Sequence, residues 1–205
     1  MRPLDGSLRT LQPVLFIPSD QSAAFRGEYV EGLWQALGEV MRWYRARADR
    51  DIFQALPIVE YVGLLRARDY FQDTQDQVLR ELSRVWDIER DGRTYLCYGL
   101  WGEGPYQANG NVIGASGDYL VVQSSTSLTM FADDHFPGYD PNLAWNSRRA
   151  QTGALAHELG HTLGLPHTND VEPTRSAESI MYAWWDYPRV SFTDRELATV
   201  LSAGR

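Results

Sequence analysis

The sequence predicts an α+β fold, and three observations carry that prediction. Apolar runs of strand length alternate with long stretches of helical periodicity through the first half of the chain. Two further extended pieces follow near its middle. A helix stopped by glycine and a last, capped helix make up the remainder.

Taken in order, Leu11 to Ile17 is apolar, bounded by Pro13 and Pro18, and reads as a first strand. From about Ser22 to Ala48 the residues Leu33, Leu37, Val40, Met41 and Tyr44 fall at helical spacing. This predicts a long amphipathic helix on a sheet, with Arg42, Arg45, Arg47 and Asp49 marking its wet side and its end. Pro57 opens the run Ile58 to Leu65, a second strand. Thr74-Gln75-Asp76-Gln77 has the form of a capping box, and Val78, Leu82, Val85 and Trp86 continue a helix to about Trp86. Asp91-Gly92 is a turn, and Thr94 to Leu100 a third strand. Asn111 to Ser116 and Tyr119 to Ser125 are extended pieces broken by Gly117-Asp118. A helix is expected from Asn146 or Ser147 to Leu163, then a polar, irregular stretch from Thr168 to Ser179. Thr193-Asp194-Arg195-Glu196 is another capping box, stapled by Phe192 and Leu197, which starts a helix ending near Gly204.

A length of 205 residues suits a single domain with its own core. Hydrophobic residues make up 43% and charged residues 22%, an ordinary globular balance. The net charge is −8 and every basic residue is Arg, with no basic cluster, which argues against nucleic acid or an anionic membrane as partner. No segment approaches the ~20 apolar residues of a membrane span, and the first residues contain no signal-peptide core. Cys97 is the one cysteine, so no internal disulfide forms; its setting reads as a buried core position.

The chemistry is concentrated in His157-Glu158-Leu159-Gly160-His161-Thr162-Leu163-Gly164-Leu165-Pro166-His167. His157 and His161 are four residues apart, on one face of a helix, where both imidazoles can share a metal. Gly164 ends the helix in the left-handed conformation and lets His167 return as a third nitrogen ligand. Three imidazoles leave a tetrahedral zinc one open position, the catalytic arrangement. Glu158 is placed to deprotonate a water there.

This stretch matches the signature H-E-x-x-H-x-x-G-x-x-H at every fixed position, and on these residues the chain resembles the metzincin clan of zinc peptidases. The resemblance implies a zincin fold: a twisted, mostly parallel sheet with an antiparallel edge strand, long helices, and a small C-terminal subdomain. Residues 1–167 would be the upper subdomain and 168–205 the lower. It implies one catalytic Zn2+ on His157, His161 and His167, Glu158 as general base, and a peptide or protein substrate cut within the chain. Met181, 14 residues after His167, would be the methionine whose turn forms an apolar floor beneath the metal. Astacins and serralysins add a tyrosine ligand two residues after that methionine; Ala183 stands there, so three protein ligands are expected. Thr168 after the third histidine and Tyr182 after the methionine are closer to matrixins. The substrate would lie along the edge strand at Asn111 to Ser116, touching Val112, Ile113, Gly114 and Ala115, with Tyr182 and Trp184 beside it. Trp184, Trp185 and Tyr187 serve equally as a pocket wall or as packing between subdomains. Asp133, Asp134, His135 and Asp140 could hold Ca2+, but their spacing fits no defined loop and reads better as a solvated acidic loop. Secretion is what the resemblance favours, and the chain is expected to be a monomer. Two rival readings are a catalytically silent metal-binding interaction module and a zinc hydrolase acting on chain ends or non-peptide amides.

Overall fold

The structure, a computed structural model, describes residues 8–22, 27–70, 74–100, 111–113, 120–123, 128, 131–132 and 147–203. Its strands are β1 (Arg9–Ile17), β2 (Phe53–Ala55), β3 (Val59–Val62), β4 (Arg93–Gly99), β5 (Asn111–Ile113) and β6 (Leu120–Gln123). Its helices are α1 (Gly27–Ala48), α2 (Thr74–Leu82), α3 (Arg148–Thr162), α4 (Thr168–Val171) and α5 (Asp194–Ala203).

The strands form one sheet in the order β2-β1-β4-β6-β5. β3 also pairs with β1, using Val14 to Ile17 where β2 uses Arg9 to Leu11. Every pairing is parallel except the last, where β5 runs antiparallel to β6 at the edge. This is the mixed α/β, mostly parallel sheet with an antiparallel edge strand that the resemblance implies. β1 and β4 are buried on both faces along most of their length, so residues 13–17 and 95–98 read as continuous apolar runs. Alternate residues serve two cores. Leu11, Leu15, Leu96 and Tyr98 meet α1 and α3. Val14, Phe16, Tyr95 and Cys97 meet Val78 and Leu82 of α2.

α1 shares a core with the inner residues of β1 and reaches both α3 and α5. The Tyr44 hydroxyl donates to the Ala156 carbonyl at 2.8 Å. Arg42 and Arg45 face solvent as expected, but Arg47 does not. Its guanidinium lies 4.0 Å from the Trp43 ring centroid and donates to the carbonyls of Pro188 and Val190 at 2.8 and 3.0 Å. An arginine stem packs on apolar surface while its head finds acceptors, so charge alone misplaces it. Asp49 closes α1 at φ 54.

Other boundaries shift for local reasons. Leu64 and Leu65 lie in a bend beyond β3; their N–H groups donate to the Glu81 carboxylate and the Tyr70 hydroxyl rather than to a strand. α2 ends at Leu82, after which Val85 and Trp86 close turns back to the Leu82 carbonyl. The stretch after Thr168 is not irregular: α4 is followed by a 3-10 helix at Pro173–Glu178. Asp133, Asp134, His135 and Asp140 lie outside the described residues, as do Gly114 and Ala115. No helix among the described residues is long and apolar enough to cross a membrane.

α3 starts where the sequence places it. Ser147 is extended at φ −152, and its hydroxyl accepts the Ala150 N–H at 3.1 Å. Ser147→Ala should cost about 1 kcal/mol, the typical value of an N-cap hydroxyl. Urea unfolding measures it directly; an unchanged midpoint would mean that the cap is not formed in solution.

Candidate metal centre

α3 ends in a Schellman turn. The Leu165 N–H donates to the Gly160 carbonyl at 3.1 Å and the Gly164 N–H to the His161 carbonyl at 2.9 Å. Gly164 stands at φ +86, where a side chain would be strained. The reversal brings His167 back against the helix, so that ring nitrogens of His157, His161 and His167 all lie within 4.8 Å of one another. The Nε2 atom of His161 is 3.1 Å from that of His157 and 3.1 Å from that of His167.

Backbone carbonyls fix the tautomers. Nδ1 of His157 lies 2.9 Å from the Ile180 carbonyl oxygen, and Nδ1 of His161 lies 2.7 Å from that of Leu165. A carbonyl only accepts, so each Nδ1 carries the proton and each Nε2 presents a lone pair. Burial, then the neighbouring His161, pushes His157 down to about 3, against its bond to Ile180. Burial also lowers His161. Both rings are therefore neutral at pH 7, and their facing lone pairs repel unless a cation lies between them. A tetrahedral zinc with bonds of about 2.0–2.1 Å sets its ligand nitrogens about 3.3 Å apart. The spacing of the three ring nitrogens fits zinc, and His157 and His161 present neutral donors to it.

Glu158 is 7% exposed, and its Oε2 atom is buried without a hydrogen-bond partner. Burial holds its carboxyl up at about 8. A buried carboxylate oxygen with no partner costs free energy, so the metal-free protein favours the protonated carboxyl.

Met181 is fully buried beneath α3. A Cβ on Gly160 would stand 2.3 Å from its sulfur, so the glycine between the two histidines is what lets the methionine pack so close. The following aromatics divide. Tyr187 is 1% exposed, packs 5.9 Å from Trp43, and its hydroxyl meets the Glu39 carboxylate. It is core. Trp184 packs on the same core, whereas Tyr182 and Trp185 remain 40% and 37% exposed, with ring centroids 5.5 Å apart. Val112 and Ile113 lie in β5, which pairs on one side only among the described residues.

Sequence reasoning missed the carbonyls of Ile180 and Leu165. Every residue carries a carbonyl, so no residue type could flag them. It also missed what the Glu196 side chain touches beyond its own helix cap.

No family model matches the chain, and no curated protein matches its sequence. Solved structures do. Wild-type OgpA from Akkermansia muciniphila has a TM-score of 0.60 at 18% identity, covering 97% of this chain and 62% of that one. Catalytically inactive OgpA from the same organism, in complex with the O-glycopeptide substrate glycodrosocin, has a TM-score of 0.61 at 17% identity, covering 97% and 61%. Metalloproteinase-II from Bacteroides fragilis has a TM-score of 0.50 at 16% identity, covering 98% and 55%. The chain thus spans about three fifths of the length of OgpA. At these identities the shared property is the fold.

Proposed function

We propose that this chain is a zinc-dependent endopeptidase of metzincin type, with His157, His161 and His167 as metal ligands and Glu158 as general base. The observation that carries the reading is the convergence of three imidazoles, with ring nitrogens 3.1 Å apart, beside an unpartnered, buried glutamate oxygen. Zinc bound there would polarise the scissile carbonyl and lower the pKa of a water toward ~7. Glu158 takes the proton of the attacking water, and the C–O bond forms. It then returns that proton to the departing amine as the C–N bond breaks. The edge of β5 away from β6, unpaired among the described residues, would hold the peptide extended by main-chain hydrogen bonds. Tyr182, which is 40% exposed, would contact its side chains.

Elemental analysis of protein expressed with ample zinc should find about one zinc per chain, as three histidines with an open fourth position require. A protein without zinc would sink the reading. Digestion of a peptide library that includes O-glycosylated members, together with end-labelled peptides, tests the reaction. Internal cleavage is expected; release of terminal residues alone would mean an exopeptidase. A zinc-loaded protein that cleaves nothing would be a binding module.

A further inference from the structure

Glu196 is 2% exposed, and both its oxygens are used. Oε2 accepts the Thr193 N–H at 2.8 Å, while the Glu196 N–H returns to the Thr193 hydroxyl at 3.3 Å. That is the capping box of α5, and it needs only one oxygen. The carboxylate also lies 2.5 Å from the Thr168 hydroxyl and 2.7 and 2.8 Å from the Ser179 hydroxyl. Thr168 and Ser179 are themselves fully buried. A carboxylate kept from water is tolerated here because three donors surround it.

The two hydroxyls belong to the segments that carry the metal centre. Thr168 follows His167 directly. Ser179 precedes Ile180, whose carbonyl takes the Nδ1–H of His157. The Ser179 hydroxyl oxygen also accepts the Met181 N–H at 2.9 Å, and the Thr168 N–H donates to the Met181 carbonyl at 3.4 Å. One carboxylate therefore ties together the chain entering from the third histidine and the chain that orients the first. His161 stands apart from this network, since the Leu165 carbonyl in the Schellman turn orients it.

We propose that Glu196 is a positioning residue for the metal centre, which through Thr168 and Ser179 sets the directions of His167 and His157 and so the tightness of metal binding. This rests on reading the three imidazoles as zinc ligands. Partners that orient metal ligands from behind are worth about 10- to 100-fold in metal affinity.

Thr168→Val keeps the side-chain shape and removes the hydroxyl; Ser179→Ala cuts the other arm. In competition of the zinc-loaded protein with a chromophoric chelator, each variant should bind zinc about 10- to 100-fold more weakly than wild type. Thr168→Ser should restore near wild-type affinity. The visible spectrum of the cobalt-substituted protein should change in Thr168→Val and return in Thr168→Ser. Tyr70→Phe removes a buried hydrogen bond to Glu81 on the other face of the sheet and serves as the control. It should lower stability and leave zinc affinity alone. If Thr168→Val does not fold, Ser179→Ala decides. Wild-type affinity in the variants, or an equal loss in Tyr70→Phe, overturns the positioning role alone. A wild-type protein that takes up no zinc overturns the ligand reading and this inference with it.

Discussion

Glu158→Gln is expected to lower peptide hydrolysis by about two to four orders of magnitude, the usual worth of a general acid–base group. The loss corresponds to about 3–5 kcal/mol of barrier. Glutamine keeps the shape of glutamate but cannot accept a proton at neutral pH. The ring nitrogens are untouched, so zinc content should stay at the wild-type level. Unfolding would be a competing explanation, and the sign of the pKa shift removes it. Burial raises the Glu158 carboxyl from its ordinary 4.5 to about 8. Zinc-free folded protein thus prefers the protonated acid, and its stability falls as pH rises from about 4.5 to about 8. Glutamine does not ionise and escapes that loss. At pH 7.5 the zinc-free variant should unfold at no lower a temperature than the zinc-free wild type. Near-normal turnover in a folded, zinc-loaded Glu158→Gln protein would refute the general-base role.

The clustering of the three histidines was legible because the parts of the candidate site are contiguous. Eleven successive residues, from His157 to His167, contain the helix spacing, the glycine stop and the returning histidine. Local rules suffice for each, and the structure brings the three rings together as those rules require. The long elements were legible for a similar reason. The periodicity of α1 extends over several turns, and β1 and β4 hold the apolar runs 13–17 and 95–98 because both their faces are covered. What escaped depends on contacts distant in sequence. β2 is Phe53–Ala55, too short to show a period, and it exists because Arg9 to Leu11 offers it a partner. Arg47 looks like a solvent-facing charge until Pro188 and Val190 arrive beneath it. Glu196 reads as a helix cap, and is one, but its bonds to Thr168 and Ser179 span 28 and 17 residues. Nothing local to Thr193–Glu196 announces them.

Gly153→Ala is expected to destabilise the protein, although helix propensity alone predicts the reverse. Alanine in a helix interior is favoured over glycine by about 1 kcal/mol. At position 153 the added Cβ would stand 2.0 Å from the Trp184 carbonyl oxygen, 2.7 Å from the Tyr187 Cβ and 3.0 Å from the Trp184 carbonyl carbon. Two of these atoms are backbone, so no rotamer change relieves the contact. α3 and the 3-10 turn at Trp184–Asp186 must separate by more than an ångström. That turn is held against α3 by Arg149, which bonds the Tyr187 carbonyl and reaches the Asp186 carboxylate at 2.8 Å. It also continues directly from Met181 and Tyr182, so displacing it disturbs the floor beneath the histidines. Overpacking typically costs 1–3 kcal/mol, and a backbone clash of this depth belongs at or above about 3. After subtracting the propensity gain, a loss of about 2 kcal/mol or more remains. For a chain of this size that is a fall of about 4–8 °C in Tm. Thermal unfolding of zinc-loaded Gly153→Ala beside wild type makes the comparison. A Tm equal to or above wild type would mean that α3 and the turn after the methionine do not pack this closely.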